Sequence, residues 1–182
     1  MLKSQKTEAA VKHRFPEAVA FVVCKSKEGK VNLCPIGFFT LVTWFPKVWA
    51  IALYETHYST KVISETDEFV LCLPSITQVK DVLYCGSVHG WDIDKTENIS
   101  LKFKESKRVK PPLVEDAVAC FECKVIGKHV VKDHTLFLGE VVVSYVSDKN
   151  WQEKIYNWDD KRLGTIKLGE NSAPIEYSPE GE

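Results

Sequence analysis

The sequence predicts a mainly β fold, an antiparallel barrel of about six strands in Greek-key order with a few short helices. Three observations predict it. Short β-branched and aromatic runs recur along the chain, bounded by turn residues, while helical spacing shows in only two or three brief stretches. Many short strands with few helices argue for a barrel and against a doubly wound sheet. No Gly-x-Gly-x-x-Gly motif opens a helix, so no Rossmann nucleotide site is indicated. At 182 residues the chain has the length of a single domain. The prediction is one domain over 1–182, with its core at about 15–148 and a polar C-terminal extension at about 149–182.

The elements follow in order. Ala18 to Cys24 is a compact apolar run, and Ser26-Lys27-Glu28-Gly29-Lys30 is a polar turn, so the next strand pairs back as a hairpin. Phe38 to Thr43 and Val48 to Leu53 form a second hairpin, broken at Phe45-Pro46-Lys47, where proline cannot donate to a central ladder. Ser59 to Glu65 takes helical spacing, with Val62 and Ile63 as its apolar positions, before a strand from Phe69 to Leu73 that stops at Pro74. Ser75 is an N-cap for a helix over Ile76 to Leu83, ended by Cys85-Gly86. Asp92 to Val114 is charged and interrupted by Pro111-Pro112, and reads as a short helix plus an exposed connection. Val114 to Ile126 and Leu136 to Val146 are the strongest strand signals of the second half. Gly169 to Glu182 is polar with little to bury, so it frays or drapes over a partner subunit.

Composition narrows the function classes. With 45% hydrophobic residues, 27% charged residues and a formal net charge of −1, the chain lacks the electrostatic footprint of a nucleic-acid binder. The polar N-terminus leads into no apolar stretch, and no run approaches the roughly 18 apolar residues of a membrane span. A soluble cytoplasmic protein is expected. Of the six cysteines, Cys120 and Cys123 form a Cys-x-x-Cys with His129 and His134 downstream, so zinc has to be weighed. The pair lies in a strand, where positions three apart face opposite ways, whereas zinc pairs sit on tight turns. Buried thiols and no metal site are the expectation.

The chemistry concentrates after the second hairpin. Glu55-Thr56-His57-Tyr58-Ser59-Thr60-Lys61 opens a helix, and its first turn offers free backbone N–H groups, hydroxyls and one cation. Such a turn can seat a phosphate. Ser59 and Thr60 would donate hydrogen bonds, and Lys61 would add a point charge. The same residues also make an ordinary helix start with a solvated lysine. Thr43 and Trp44 precede a strand break that frees backbone groups, and Trp44 is either a stacking face or a half-buried strand aromatic. Gly86-Ser87 reads equally as a helix stop, and His134 equally as a solvated loop histidine.

The order of these pieces resembles the flavin reductase-like family of FMN-binding split barrels. The resemblance runs from Asn32 through Thr43-Trp44-Phe45-Pro46, Tyr58-Ser59-Thr60-Lys61-Val62-Ile63 and Glu68-Phe69-Val70-Leu71-Cys72-Leu73-Pro74. It continues through Gly86-Ser87, Asp94-Lys95 and Cys123-Lys124-Val125 to the segment from Asp133 to Val141, roughly residues 15 to 148. It implies a split β-barrel, FMN as cofactor, and a flavin site near the interface of a homodimer. Thr43, Trp44, His57, Tyr58, Ser59, Thr60, Lys61, Leu73, Pro74, Gly86 and Ser87 would then hold the cofactor, and His134 would act at the flavin face. Three departures stand out. His57 replaces an expected arginine, which makes phosphate binding weaker and more pH-dependent. Lys47 replaces a second proline, and Cys72 replaces an asparagine whose amide it cannot mimic.

The resemblance implies an oxidoreductase passing electrons from NAD(P)H through flavin to free flavin or to a redox partner protein. Two other readings remain. One is a flavoredoxin-like carrier that holds FMN tightly without oxidising nicotinamide, and the other is a binding module that has lost flavin. No Ser-His-Asp order or helical His-Glu-x-x-His is present, which suits a protein whose cofactor carries the chemistry.

Overall fold

The computed structural model describes residues 3–149, 153–159 and 162–165. The first apolar run forms β2 (Ala20–Lys25), preceded by the two-residue strand β1 (Glu17–Ala18), and pairs antiparallel with β3 (Val31–Ile36) across the polar turn. The second hairpin is β4 (Phe39–Thr43) and β5 (Val48–Tyr54). A short exposed helix, α1 (Thr7–Val11), precedes them all, and α2 (Tyr58–Thr66) follows β5. Next come β6 (Glu68–Leu73) and α3 (Val79–Ser87), and then two long strands, β9 (Ala119–Val131) and β10 (His134–Val146).

These strands build a seven-stranded sheet in the order β3-β2-β6-β9-β10-β5-β4, antiparallel throughout. Laid flat, its two edges would lie about 29 Å apart at the usual strand spacing of about 4.8 Å. Yet β3 ends at Ile36 and β4 begins at Phe39, a link that spans at most about 11 Å. The sheet must therefore curl until its edges meet without pairing, which makes a split barrel. The large sheet has seven strands where about six were expected.

Alternation along the strands divides the apolar residues into two layers. Ala20, Val22, Cys24, Ile51, Leu53, Phe69, Leu71, Cys123 and Phe137 fill the interior, and Val62 and Ile63 of α2 plug it, as the helical spacing predicted. Phe21, Val23, Val70, Cys72 and Cys120 face outward and are covered by Val82 and Cys85 of α3 and by Ile155. Cys120 and Cys123 thus face opposite layers, and among the described residues no cluster of metal-ligating side chains occurs.

Three expectations need correction. Ser75 caps a 3-10 turn, Ile76–Gln78, with a capping box, and the helix that follows runs past Gly86 to Ser87. The segment 92–114 is not an exposed connection. It carries a 3-10 turn (Lys95–Asn98) and the paired strands β7 (Phe103–Lys104) and β8 (Leu113–Val114), with Val109, Leu113 and Val114 buried. Its organiser is Glu122, fully buried on β9, whose carboxylate accepts the N–H groups of Lys107, Arg108 and Val109 at 2.7, 2.6 and 3.2 Å and the Tyr145 hydroxyl at 2.5 Å. A buried carboxylate needs such partners. Finally, the polar extension is partly docked: Ile155 is fully buried, Val19 N donates to its carbonyl, and β11 (Tyr156–Asn157) bridges β1 and β12 (Leu163–Gly164). The expected fraying over Gly169 to Glu182 lies outside the described residues.

Candidate functional site

Three adjoining cavities follow the free edge of β3. The smallest, about 80 Å³, is lined by Asn32, Cys34, His57, Tyr58, Ser59 and Lys95 among others. The second, about 180 Å³, is lined by Phe38, Tyr54, His57 and His134. The third, about 370 Å³, includes Pro35, Gly37, Gly86, Ser87, Asn157 and Arg162. His57 lines the first two, and Pro35 and Gly86 line the first and third. The split between β3 and β4 therefore opens into one elongated cleft.

The small cavity is the polar end. His57 is the N-cap of α2, in extended conformation, and its side chain makes no capping bond. Its carbonyl accepts from Thr60 N at 3.0 Å and Lys61 N at 3.4 Å. Tyr58 and Ser59, as the first helical residues, have no carbonyl one turn back for their N–H groups. Ser59 is buried and its hydroxyl accepts from Asn32 Nδ2 at 2.8 Å. Asn32 Oδ1 is buried without a partner, an acceptor awaiting a donor. Gly90 presses on that oxygen so closely that a Cβ there would collide with it. Lys30 Nζ holds Gly90's carbonyl at 2.6 Å, and Trp91 Nε1 donates to Thr56 O at 2.9 Å, so the loop after α3 is tied down over the cavity.

The charge at this end comes from Lys95. It is 4% exposed, and its ammonium group donates to Leu33 O at 3.0 Å and Cys85 O at 2.6 Å. Among the described residues no carboxylate is paired with it. Burial pulls its pKa down, while the thiols of Cys34, Cys85 and Cys24 oppose that shift. A buried cation held only by neutral carbonyls suits an anionic ligand. His57 is likewise held below the ordinary histidine range, first by burial and then by the charges of His89, Lys95 and His134.

The second cavity has flat walls. Tyr54 packs edge-on to His134 with ring centres 5.1 Å apart and against His57 at 5.8 Å, and Phe38 lies 5.8 Å from His134. His134 opens β10 directly opposite Tyr54, with Asp133 Oδ1 2.8 Å from its Nδ1. That contact draws the Asp133 carboxyl below its usual range.

Of the residues singled out from sequence, His57, Tyr58, Ser59, Gly86, Ser87 and His134 line this cleft. Others are placed differently. The Thr60 hydroxyl donates to Tyr54 O at 2.7 Å and braces the turn. Lys61 faces outward, 3.3 Å from Glu65 with half of its side chain exposed. Leu73 O and Pro74 O accept from Val118 N and Ile155 N, and neither residue lines a cavity of the cleft. Thr43 pairs with Val48, at the far end of β5 from Tyr54, so it and Trp44 stand about 20 Å away along the strand. Trp44 is 84% exposed, with Lys47 Nζ 4.5 Å from its ring centre. Sequence reasoning gave no role to Lys95 or Tyr54, because a lysine in a charged segment reads as solvated until the fold buries it.

Comparison with known proteins agrees with this architecture. An uncharacterized protein of Archaeoglobus fulgidus is 34% identical over 113 residues, which are 62% of this chain and 64% of that protein. Among solved structures, the FMN-binding protein from Thermus thermophilus with bound p-hydroxybenzaldehyde superposes with a TM-score of 0.81 at 20% identity, covering 98% of this chain and 99% of that one. Flavoredoxin from Methanosarcina acetivorans superposes with a TM-score of 0.80 at 20% identity, covering 99% and 96%. The model of the flavin reductase like domain matches residues 12–167, most of the described barrel, and the chain belongs to that family.

Proposed function

We propose that this protein is an FMN-binding oxidoreductase of the flavin reductase-like type, taking electrons from NAD(P)H and delivering them to free flavin or a protein acceptor. The observation that carries the proposal is Lys95, a buried cation without an acidic partner, facing the same small cavity as the start of α2. The cleft's donor set fits FMN. Lys95 and the N–H groups of Tyr58 and Ser59 would hold the phosphate, with His57 beside them. Asn32 Oδ1 would accept from a ribityl hydroxyl, and Phe38, Tyr54 and His134 offer flat faces for the ring system. Bound there, the flavin supplies a two-electron acceptor for hydride and a donor of electrons onward. The protein's part is to orient, to exclude water and to position His134, whose Nε2 is left as its remaining polar ring atom once Nδ1 meets Asp133.

A flavoredoxin-like carrier is the second reading. The likeness of the barrel to flavoredoxin from Methanosarcina acetivorans favours it. Titration of the purified protein with FMN and with riboflavin, followed by anaerobic addition of NADH or NADPH, tests both. FMN binding over riboflavin with bleaching by nicotinamide supports the enzyme. FMN binding without bleaching supports the carrier, and no flavin binding at all overturns both.

A further inference from the structure

On the outer face of the sheet, Cys72 of β6 and Cys120 of β9 are direct partners across an antiparallel pair. Such partners have Cα atoms about 4.5–5.5 Å apart, within the roughly 4.4–6.8 Å that a disulfide spans. Their sulfurs approach to 2.7 Å. None of the other free cysteines is opposed to a cysteine in this way: Cys24 faces Asn32, Cys34 faces Val22 and Cys123 faces Phe69.

The two thiols differ in access. Cys72 is fully buried, whereas Cys120 is 4% exposed and lines a cavity of about 190 Å³ with Lys104, Leu113, Asp116, Tyr145 and Ser147. None of these residues lines the cleft along β3. The flavin reading gives this cavity no role and does not depend on it.

We infer that Cys120 and Cys72 are a dithiol that hydrogen peroxide oxidises to a cross-strand disulfide, with Cys120 oxidised first by peroxide that enters its cavity. The Cys120 thiolate attacks one peroxide oxygen and the O–O bond breaks, giving a sulfenic acid and hydroxide. The Cys72 sulfur then attacks the Cys120 sulfur. The S–S bond forms, the S–O bond breaks, and the hydroxyl leaves as water with the Cys72 proton. Two thiols lose two electrons, and one peroxide gains them. The asymmetry of the pair supports this order. The neighbouring Cys72 thiol pulls the Cys120 pKa below the usual thiol range, while burial pushes that of Cys72 well above it.

The test uses the folded full chain treated with hydrogen peroxide, then unfolded, alkylated and digested without reductant for mass spectrometry. A Cys72–Cys120 cross-linked peptide is expected, with Cys24, Cys34, Cys85 and Cys123 alkylated. In Cys72→Ala, dimedone should label Cys120 and no bridge should form. The proposal is overturned if Cys72 and Cys120 stay as alkylatable as Cys24, if Cys120 ends as a sulfonate without a bridge, or if the bridge appears only when peroxide is added after unfolding. Mapping of the wild type decides the question even if the variant folds poorly.

Discussion

Lys95 holds its ammonium group 2.6 Å from the carbonyl oxygen of Cys85, at the end of a side chain that is almost wholly buried. Lys61, in the helix turn expected to seat a phosphate, spends its charge on Glu65 at the surface. Lys95→Met should therefore weaken FMN binding by about tenfold or more, the loss of one charge-assisted hydrogen bond at about 1.5–3 kcal/mol. Lys61→Ala should change it by less, because exposed pairs are worth roughly 0–1 kcal/mol. Fluorescence titration of both variants checks the ranking. Equal losses would return the phosphate contact to Lys61.

The depressed pKa of His57 fixes the sign of two pH effects. In the flavin-free protein the unfolded chain takes up a proton at higher pH than the folded one. Stability then rises with pH, and it falls as pH drops through the ordinary histidine value of about 6.5 towards the lower folded value. The melting temperature should drop less on acidification in His57→Gln than in wild type. A bound phosphate raises the same pKa, so FMN affinity should weaken as pH rises from the depressed value of the free protein through the raised value of the complex. His57→Arg should flatten that slope, and identical slopes would remove His57 from the phosphate site.

The long strands of the large sheet and helix α2 were legible because each is a local pattern, whereas α1 and the two-residue strands carry no such signal. Val48–Tyr54 is an apolar run closed by polar turns, and Tyr58–Thr66 shows its buried face through Val62 and Ile63. What sequence could not show depends on distant contacts. Lys95 is buried by Leu33 and Cys85, and the charged segment 92–114 is folded inward by one carboxylate on β9, Glu122. His57, Ser59 and His134 were readable as polar residues at element ends. Which way Lys61 faced was not, since neighbours in one helical turn point in different directions.

Gly139 on β10 lies against the ring of Phe69, and a Cβ there would overlap ring atoms of that fully buried side chain. Gly139→Ala forces a rigid phenyl group inside the barrel to move, at about 1–3 kcal/mol. Denaturant unfolding should show a lower midpoint with an unchanged slope. Phe69→Leu in the same background should recover part of the loss, and additive losses would place the strain elsewhere.

Leu41, Val42, Trp44 and Phe45 leave the β4 edge exposed and apolar, a surface that a second copy of the chain would cover. Sedimentation at micromolar concentration should give a homodimer, and a Phe45→Glu, Trp44→Glu double variant should shift it towards monomer. A monomeric wild type would sink the idea.

His134 is braced from two sides, by Asp133 at Nδ1 and by the edge-on ring of Tyr54. A ring held in this way orients a ligand at its free nitrogen better than it anchors a cofactor phosphate, which would sit at the Lys95 end of the cleft. His134→Ala should therefore keep FMN affinity and melting temperature close to wild type, yet lose flavin reduction by NADH or NADPH by about a hundredfold or more, within the roughly 10²–10⁴ range that a positioned acid–base group supplies. Asp133→Asn should show a smaller loss, because it weakens the brace and leaves the imidazole in place. Anaerobic stopped-flow reduction of the flavin-loaded variants measures both. Unchanged rates in His134→Ala would make the histidine a structural neighbour of Tyr54, and loss of flavin would make it a binding residue.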